Sequence, residues 1–183
     1  MQGTISVLAG CHSVIHSLLV MVAWVRLYHS FPRPWQLGCI FLHDIGHLGK
    51  NYLDDVDAKN EHWRLGARIA GVLFGKKGWD LCAGHDAHSG APESLLYKPD
   101  KYSWYIAPRW WLLSNCMVEP KIAMGYSPRE AVDRFKGRVK ENIESGAYRP
   151  THDLYLERCL NKKREGGRHA QTPEQDGDRV DRL

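Results

Sequence analysis

The chain has no pair of cysteines in C-x-x-C spacing, no apolar run of membrane-spanning length and no stretch that alternates apolar with polar residues. Each absence removes a class of protein. The five cysteines (Cys11, Cys39, Cys82, Cys116 and Cys159) are odd in number and scattered. That excludes a disulfide framework or a zinc ribbon, and they read as buried thiols in a reducing compartment. The longest apolar segment, Ser13 to Leu27, falls short of the ~20 residues a span needs, and it carries His16 and Arg26. No basic stretch precedes it and no small-residue cleavage site follows, so a core helix of a cytoplasmic protein with no membrane partner is expected. Charge is nearly balanced: 25 Lys and Arg against 21 Asp and Glu leave +4. That surplus suits an anionic substrate; it neither establishes nor excludes nucleic-acid binding.

With strand periodicity and internal repeats both missing, the expected fold class is all-α, a compact helical bundle. At 183 residues, 43% of them hydrophobic, the chain can build one core. Helix signals divide it. A first helix is predicted from about Gly10 to His29, ended by Phe31-Pro32-Arg33-Pro34. A second, opened by Pro34, covers Trp35 to Asp44. Asn51 to Asp57 reads as a loop. Leu65, Ile69, Val72 and Leu73 recur at helical spacing within Glu61–Phe74, which stops at Gly75-Lys76-Lys77-Gly78. A short helix follows around Trp79 to His85, and another from Glu93 to about Tyr105, where Pro99 either bends it or sets back its start. Ser127-Pro128-Arg129-Glu130 is a capping box with proline at the first helical position, and Gly146 is a natural stop. One more helix is expected over Asp153 to Leu160. The domain then spans residues 1–161, and the polar segment 162–183 is expected to be a disordered tail.

What the chain does have is histidine at telling places. His43-Asp44 closes an apolar run and is followed by Ile45-Gly46-His47; for both side chains to reach one centre the backbone must turn, which Gly46 permits. His16 lies upstream, and His62, His85 and Asp100 downstream, all on predicted helices. Over roughly residues 10–115 the ordered set H…HD…H…H…D resembles the HD superfamily of metal-dependent phosphohydrolases. His16-Ser17-Leu18-Leu19-Val20 is similar to that family's first-helix motif, and the run from Ser94 to Asp100-Lys101 to its last. The resemblance implies an HD-domain-like bundle in which His16, His43, Asp44 and Asp100 hold one divalent metal. His12, on the same face as His16, is the alternative first ligand. In two-metal members, histidines placed like His62 and His85 bind a second ion, with the carboxylate of the His-Asp pair bridging. No Gly-Tyr-Pro triplet follows His85, which separates the chain from the cyclic-dinucleotide branch.

A divalent ion (Mn, Fe, Co or Mg; one or two per chain) lowers the pKa of water and polarises phosphoryl oxygen, so hydrolysis of a phosphate ester or anhydride, most naturally of a nucleotide, is the expected activity. Cationic partners for the phosphate are sought in Lys50, Arg64 (with Arg68 on its face), Lys101 and Arg109. Asp86, or a carboxylate of Asp54-Asp55, is the expected general base or orienting group. His47 and His88 are second-rank candidates facing the metal or the substrate; His29, His152 and His169 are expected to be inert. The cluster Tyr102, Trp104, Tyr105, Trp110 and Trp111 either closes the core or stacks on a base. The same six ligands also resemble those of HD proteins that use a mixed-valent di-iron pair to oxidise a small phosphonate or polyol.

Overall fold

Proline, glycine and short polar side chains mark several of the helix ends. The computed structural model describes residues 14–50, 55–118 and 120–145, and among these every regular element is helical. Helix α1 (Val14–Tyr28) stops where His29 takes a left-handed backbone at φ 50°. Helix α2 (Pro34–Leu42) opens on Pro34, whose missing N–H is no loss in a first turn. The Gln36 side-chain oxygen accepts the Arg33 backbone N–H at 2.8 Å. The sequence pattern carries α2 to Asp44, but the helix ends two residues earlier. His43 caps it, and Asp44 leads at φ −102°, ψ 8° into a 3-10 turn, Ile45–His47.

Where the sequence reads as loop, Asp55 accepts the Ala58 N–H at 2.9 Å and starts a short helix α3 (Val56–Asn60). Helix α4 (His62–Phe74) ends at Gly75, which adopts φ 70°. Helix α5 (Lys76–Ala83) starts at once, three residues ahead of the expected Trp79. Gly75 alone makes the break; Gly78 lies inside α5, where a Cβ would come 2.4 Å from the Ala70 carbonyl oxygen of α4. Pro99 sets back the start of α6 (Tyr97–Ile106), sitting in its first turn. Helix α7 (Arg109–Val118) and a 3-10 turn (Pro120–Ala123) lead to α8 (Pro128–Glu144). There the Ser127 hydroxyl accepts the Glu130 N–H at 3.3 Å, while the Glu130 carboxylate pairs with Arg134. The stop at Gly146, the helix over Asp153–Leu160, the boundary at 161 and the tail lie outside the described residues. No helix among those described is long and apolar enough to cross a membrane.

Helix α1 serves two packed clusters from opposite faces. Val20 and Trp24 join Cys39, Ile40, Ala67, Ala70, Leu81, Cys82 and Leu96 in one; Ile15 and Leu19 lean on a second built around Trp111, Leu112, Cys116 and Val132. The helical spacing in α4 is as expected, but its facing is reversed. Leu65, Val72 and Leu73 are 45%, 87% and 61% exposed, while His62, Gly66, Ala67 and Ala70 are buried. Small residues face inward because α4 approaches its neighbours backbone to backbone. A Cβ on Gly66 would stand 2.3 Å from the Leu42 carbonyl oxygen, and one on Gly46 2.0 Å from that of His62. Gly46 is thus required for close approach rather than for a left-handed turn.

Gly66→Ala is therefore expected to destabilise the fold by about 1–3 kcal/mol, since rigid backbone would have to move. Gly137→Ala, on exposed α8 with nothing near the added methyl, should instead stabilise it by roughly 0.5–1 kcal/mol. Chemical denaturation of the two variants distinguishes these signs.

Candidate metal centre

Six side chains that the sequence scatters over 85 positions meet in one buried cluster: His16 from α1, His43 and Asp44 from the end of α2, His62 from the start of α4, His85 after α5 and Asp100 from α6. All six are buried. The cluster has two compartments sharing Asp44. In the first, Asp44 Oδ2 lies 3.3 Å from His16 Nε2 and 3.4 Å from His43 Nε2. Asp100 Oδ1 lies 3.1 and 3.7 Å from the same two nitrogens. In the second, Asp44 Oδ1 is 3.4 Å from His62 Nε2 and 3.3 Å from His85 Nε2, and those nitrogens are 3.2 Å apart. Donors bound tetrahedrally at ~2.0–2.1 Å stand about 3.3–3.4 Å from one another. The spacings fit.

Local structure aims three of the four imidazoles the same way. The Nδ1–H of His43 donates to the Ile40 carbonyl at 2.7 Å, and that of His62 to the Lys59 carbonyl at 2.6 Å; His85 donates likewise to Cys82. Each acceptor lies three residues back along the chain. A carbonyl can only accept, so these bonds put the proton on Nδ1 and turn the Nε2 lone pair inward. His16 Nδ1 faces the Ser103 hydroxyl at 3.4 Å, and that hydroxyl donates to the Asp100 carbonyl. His43 Nε2 is buried and makes no hydrogen bond. Two inward lone pairs, on His62 and His85, face each other at 3.2 Å and require positive charge between them. A cation answers all of these needs, so the residues present fit a metal ion.

In the absence of a metal, protons partly fill that role. Burial opposes charge on His16, but hydrogen bonds to Asp100 and Asp44 outweigh it and its pKa is pushed up to about 9. His62 is likewise raised, burial being overcome chiefly by Asp44 and Asp86. His85 is lowered, first by burial and then by the neighbouring histidines His43 and His62. Asp100 is buried, which disfavours its charge, yet Lys101 and then His16 hold it well below the usual carboxylate range.

The other expected residues divide. Asp86 reaches the second compartment, its Oδ2 3.4 Å from His62 Nε2, while its Oδ1 accepts both the backbone N–H and the ring Nδ1–H of His88 at 2.7 and 2.8 Å. Lys101 Nζ lies 2.7 Å from Asp100 Oδ2. His47 is buried and stacks on the His62 ring, centroids 4.0 Å apart. Arg64 instead pairs with Glu61 at 3.1 Å on the exposed side of α4, and Arg109 with Asp133 of α8 at 2.5 Å. Lys50, Arg68 and His29 are exposed, and Asp55 is used as a helix cap. His12 and Asp54 lie outside the described residues. Of the aromatic cluster, Trp111 is core and Trp110 is exposed. Trp104 stacks on His16 at 4.6 Å and on Trp111 at 5.6 Å, walling the first compartment. Ser103 and Trp104 are supporting residues missed as such in the sequence. Ser103 could have been found, since it follows Asp100 by three on one helical face.

The raised pKa of His16 has a thermodynamic sign. A group raised from 6.5 to about 9 on folding stabilises the fold fully below 6.5, and that contribution is lost as pH rises through about 9. The melting temperature of chelated protein should therefore fall across that window, and divalent metal should suppress the fall. A flat profile without metal would show that His16 carries no proton there.

No family model matches the chain, and neither a curated protein nor a solved structure does. What can be said of its chemistry therefore comes from a helical fold enclosing a His/Asp cluster that can hold metal, an arrangement compatible with an HD-like site.

Proposed function

We propose that the chain is a metal-dependent phosphohydrolase of the HD type, cleaving a phosphate ester or anhydride of a nucleotide or related small molecule. The observation that carries this reading is Asp44, which points one oxygen into each compartment. Such a carboxylate suits a two-ion centre, with His16, His43 and Asp100 completing one side and His62 and His85 the other. Four imidazoles to two carboxylates suit iron, manganese or cobalt better than magnesium. Bound divalent ions supply Lewis acidity toward water and phosphoryl oxygen.

The chain's own groups do the rest. Asp86 is kept ionised: burial disfavours its charge, but His62 and the His88 backbone N–H outweigh that. Held through Oδ1, it presents Oδ2 beside His62, the position of a proton acceptor. Lys101 places an ammonium at the rim of the first compartment, half-buried, to offset phosphate charge. Trp104 and the second cluster behind it keep water from the far side of His16. Because iron is among the ions this donor set suits, a second reading is the di-iron oxidation of a small phosphonate or polyol.

Anaerobically purified protein should contain two ions per chain by elemental analysis. His62→Ala or His85→Ala should each remove about one, and Asp44→Ala both, with helical circular dichroism retained. A screen of nucleoside mono- and triphosphates with manganese, cobalt or ferrous iron should yield phosphate release, reduced at least 100-fold in all three variants. Oxygen consumption with no phosphate release would select the oxygenase instead. A metal content unchanged in Asp44→Ala would remove the basis for both.

A further inference from the structure

We infer that Tyr97, together with Lys101, forms the edge of the centre that grips the substrate, and that the group gripped is a single tetrahedral oxyanion such as a terminal phosphoryl group. This rests on the hydrolase reading above and adds the substrate-binding element to it.

Tyr97, Asp100 and Lys101 stand at positions i, i+3 and i+4 of α6, so they share one face of its first two turns. Asp100 is split between two duties. Its Oδ1 faces His16 and His43 inside the cluster, and its Oδ2 accepts Lys101 Nζ at 2.7 Å. Lys101 Nζ in turn lies 5.6 Å from the centroid of the Tyr97 ring. Both Tyr97 and Lys101 are half-buried, unlike the buried ligands, and so lie between the cluster and solvent.

Burial, the largest influence on the Tyr97 phenol, pushes its pKa up; Lys101 lowers it, and Glu93, Asp100 and Asp86 raise it. At physiological pH it is therefore a neutral O–H donor, with the Lys101 ammonium over its ring. An ammonium point charge and a hydroxyl donor suit the oxygens of a phosphoryl group, and neither requires the planar, bidentate geometry that an arginine would impose. The arginines proposed from sequence are engaged elsewhere, Arg64 with Glu61 and Arg109 with Asp133, both at exposed positions. One such donor pair matches one phosphoryl group rather than a polyphosphate chain.

Inorganic phosphate is the probe. Manganese-loaded parent, Tyr97→Phe and Lys101→Gln are titrated with it by calorimetry, with metal content and melting temperature measured on the same samples. Loss of one hydrogen bond to a charged group corresponds to about a 10-fold or greater fall in affinity. Tyr97→Phe should show that fall with two ions still bound, and in turnover it should raise KM while leaving kcat within about threefold. Lys101→Gln should weaken phosphate at least as much; it keeps the polar stem, so it gives a second measurement should Tyr97→Phe fold poorly. Parent-like phosphate affinity and KM in Tyr97→Phe, with the parent hydrolysing phosphate esters, would overturn this inference and leave the hydrolase standing. A metal-loaded parent that neither binds phosphate nor releases it from any ester would overturn both.

Discussion

The structure turns on the burial of two carboxylates and four imidazoles in contact with one another. Burying a carboxylate without compensation costs several kcal/mol, and burying imidazole lone pairs face to face adds to it. The fold accepts that cost by supplying positive charge wherever the cluster can receive it: Lys101 behind Asp100, and protons on His16 and His62. Helix packing is arranged around this constraint. Helix α1 runs between two apolar clusters with His16 on the seam, and α4 exposes valine and leucine so that its glycine and alanines can bring His62 inward.

Orientation comes from the backbone more than from side-chain packing. Three of the four imidazoles bond to a carbonyl three residues earlier, so each ring is aimed by the stretch of backbone just before it. The same local rule applied at three places yields convergence because α2, α4 and α5 end or begin near one point. That also explains why α2 stops at Leu42: leaving the helix lets His43 and Asp44 both face the centre, which successive residues of one helix cannot do.

Much of this was legible in the sequence, and the reasons are particular. His16, His43, Asp44, His62, His85 and Asp100 were readable because chemistry-bearing residues in apolar helices have few explanations. Helix boundaries marked by Pro34, Ser127-Pro128 and Gly75 were readable because those residues act locally. Which face of α4 is buried was not, since its apolar spacing points outward and the inward face is defined by what Gly66 and Ala67 lack. Nor was the fate of Arg109, whose partner Asp133 is settled by tertiary placement; the pairing of Arg64 with Glu61, three residues back, is local and was open to a spacing argument. Ser103 and Trp104 take their importance from His16, some 87 and 88 residues away.

At Gly46 and Gly66 the turn bearing His43 and Asp44 and the helix bearing His62 touch main chain to main chain, with no side chain between them. The separation of the two compartments is accordingly ruled by peptide geometry, which is stiff, and not by the identity of the apolar side chains around it, which can be exchanged at conserved volume. Drift of the surrounding core over evolutionary time, or its softening with temperature, would change how firmly the molecule holds together long before it changed the gauge between the two halves of the cluster. The glycines act as the fixed calliper of the site.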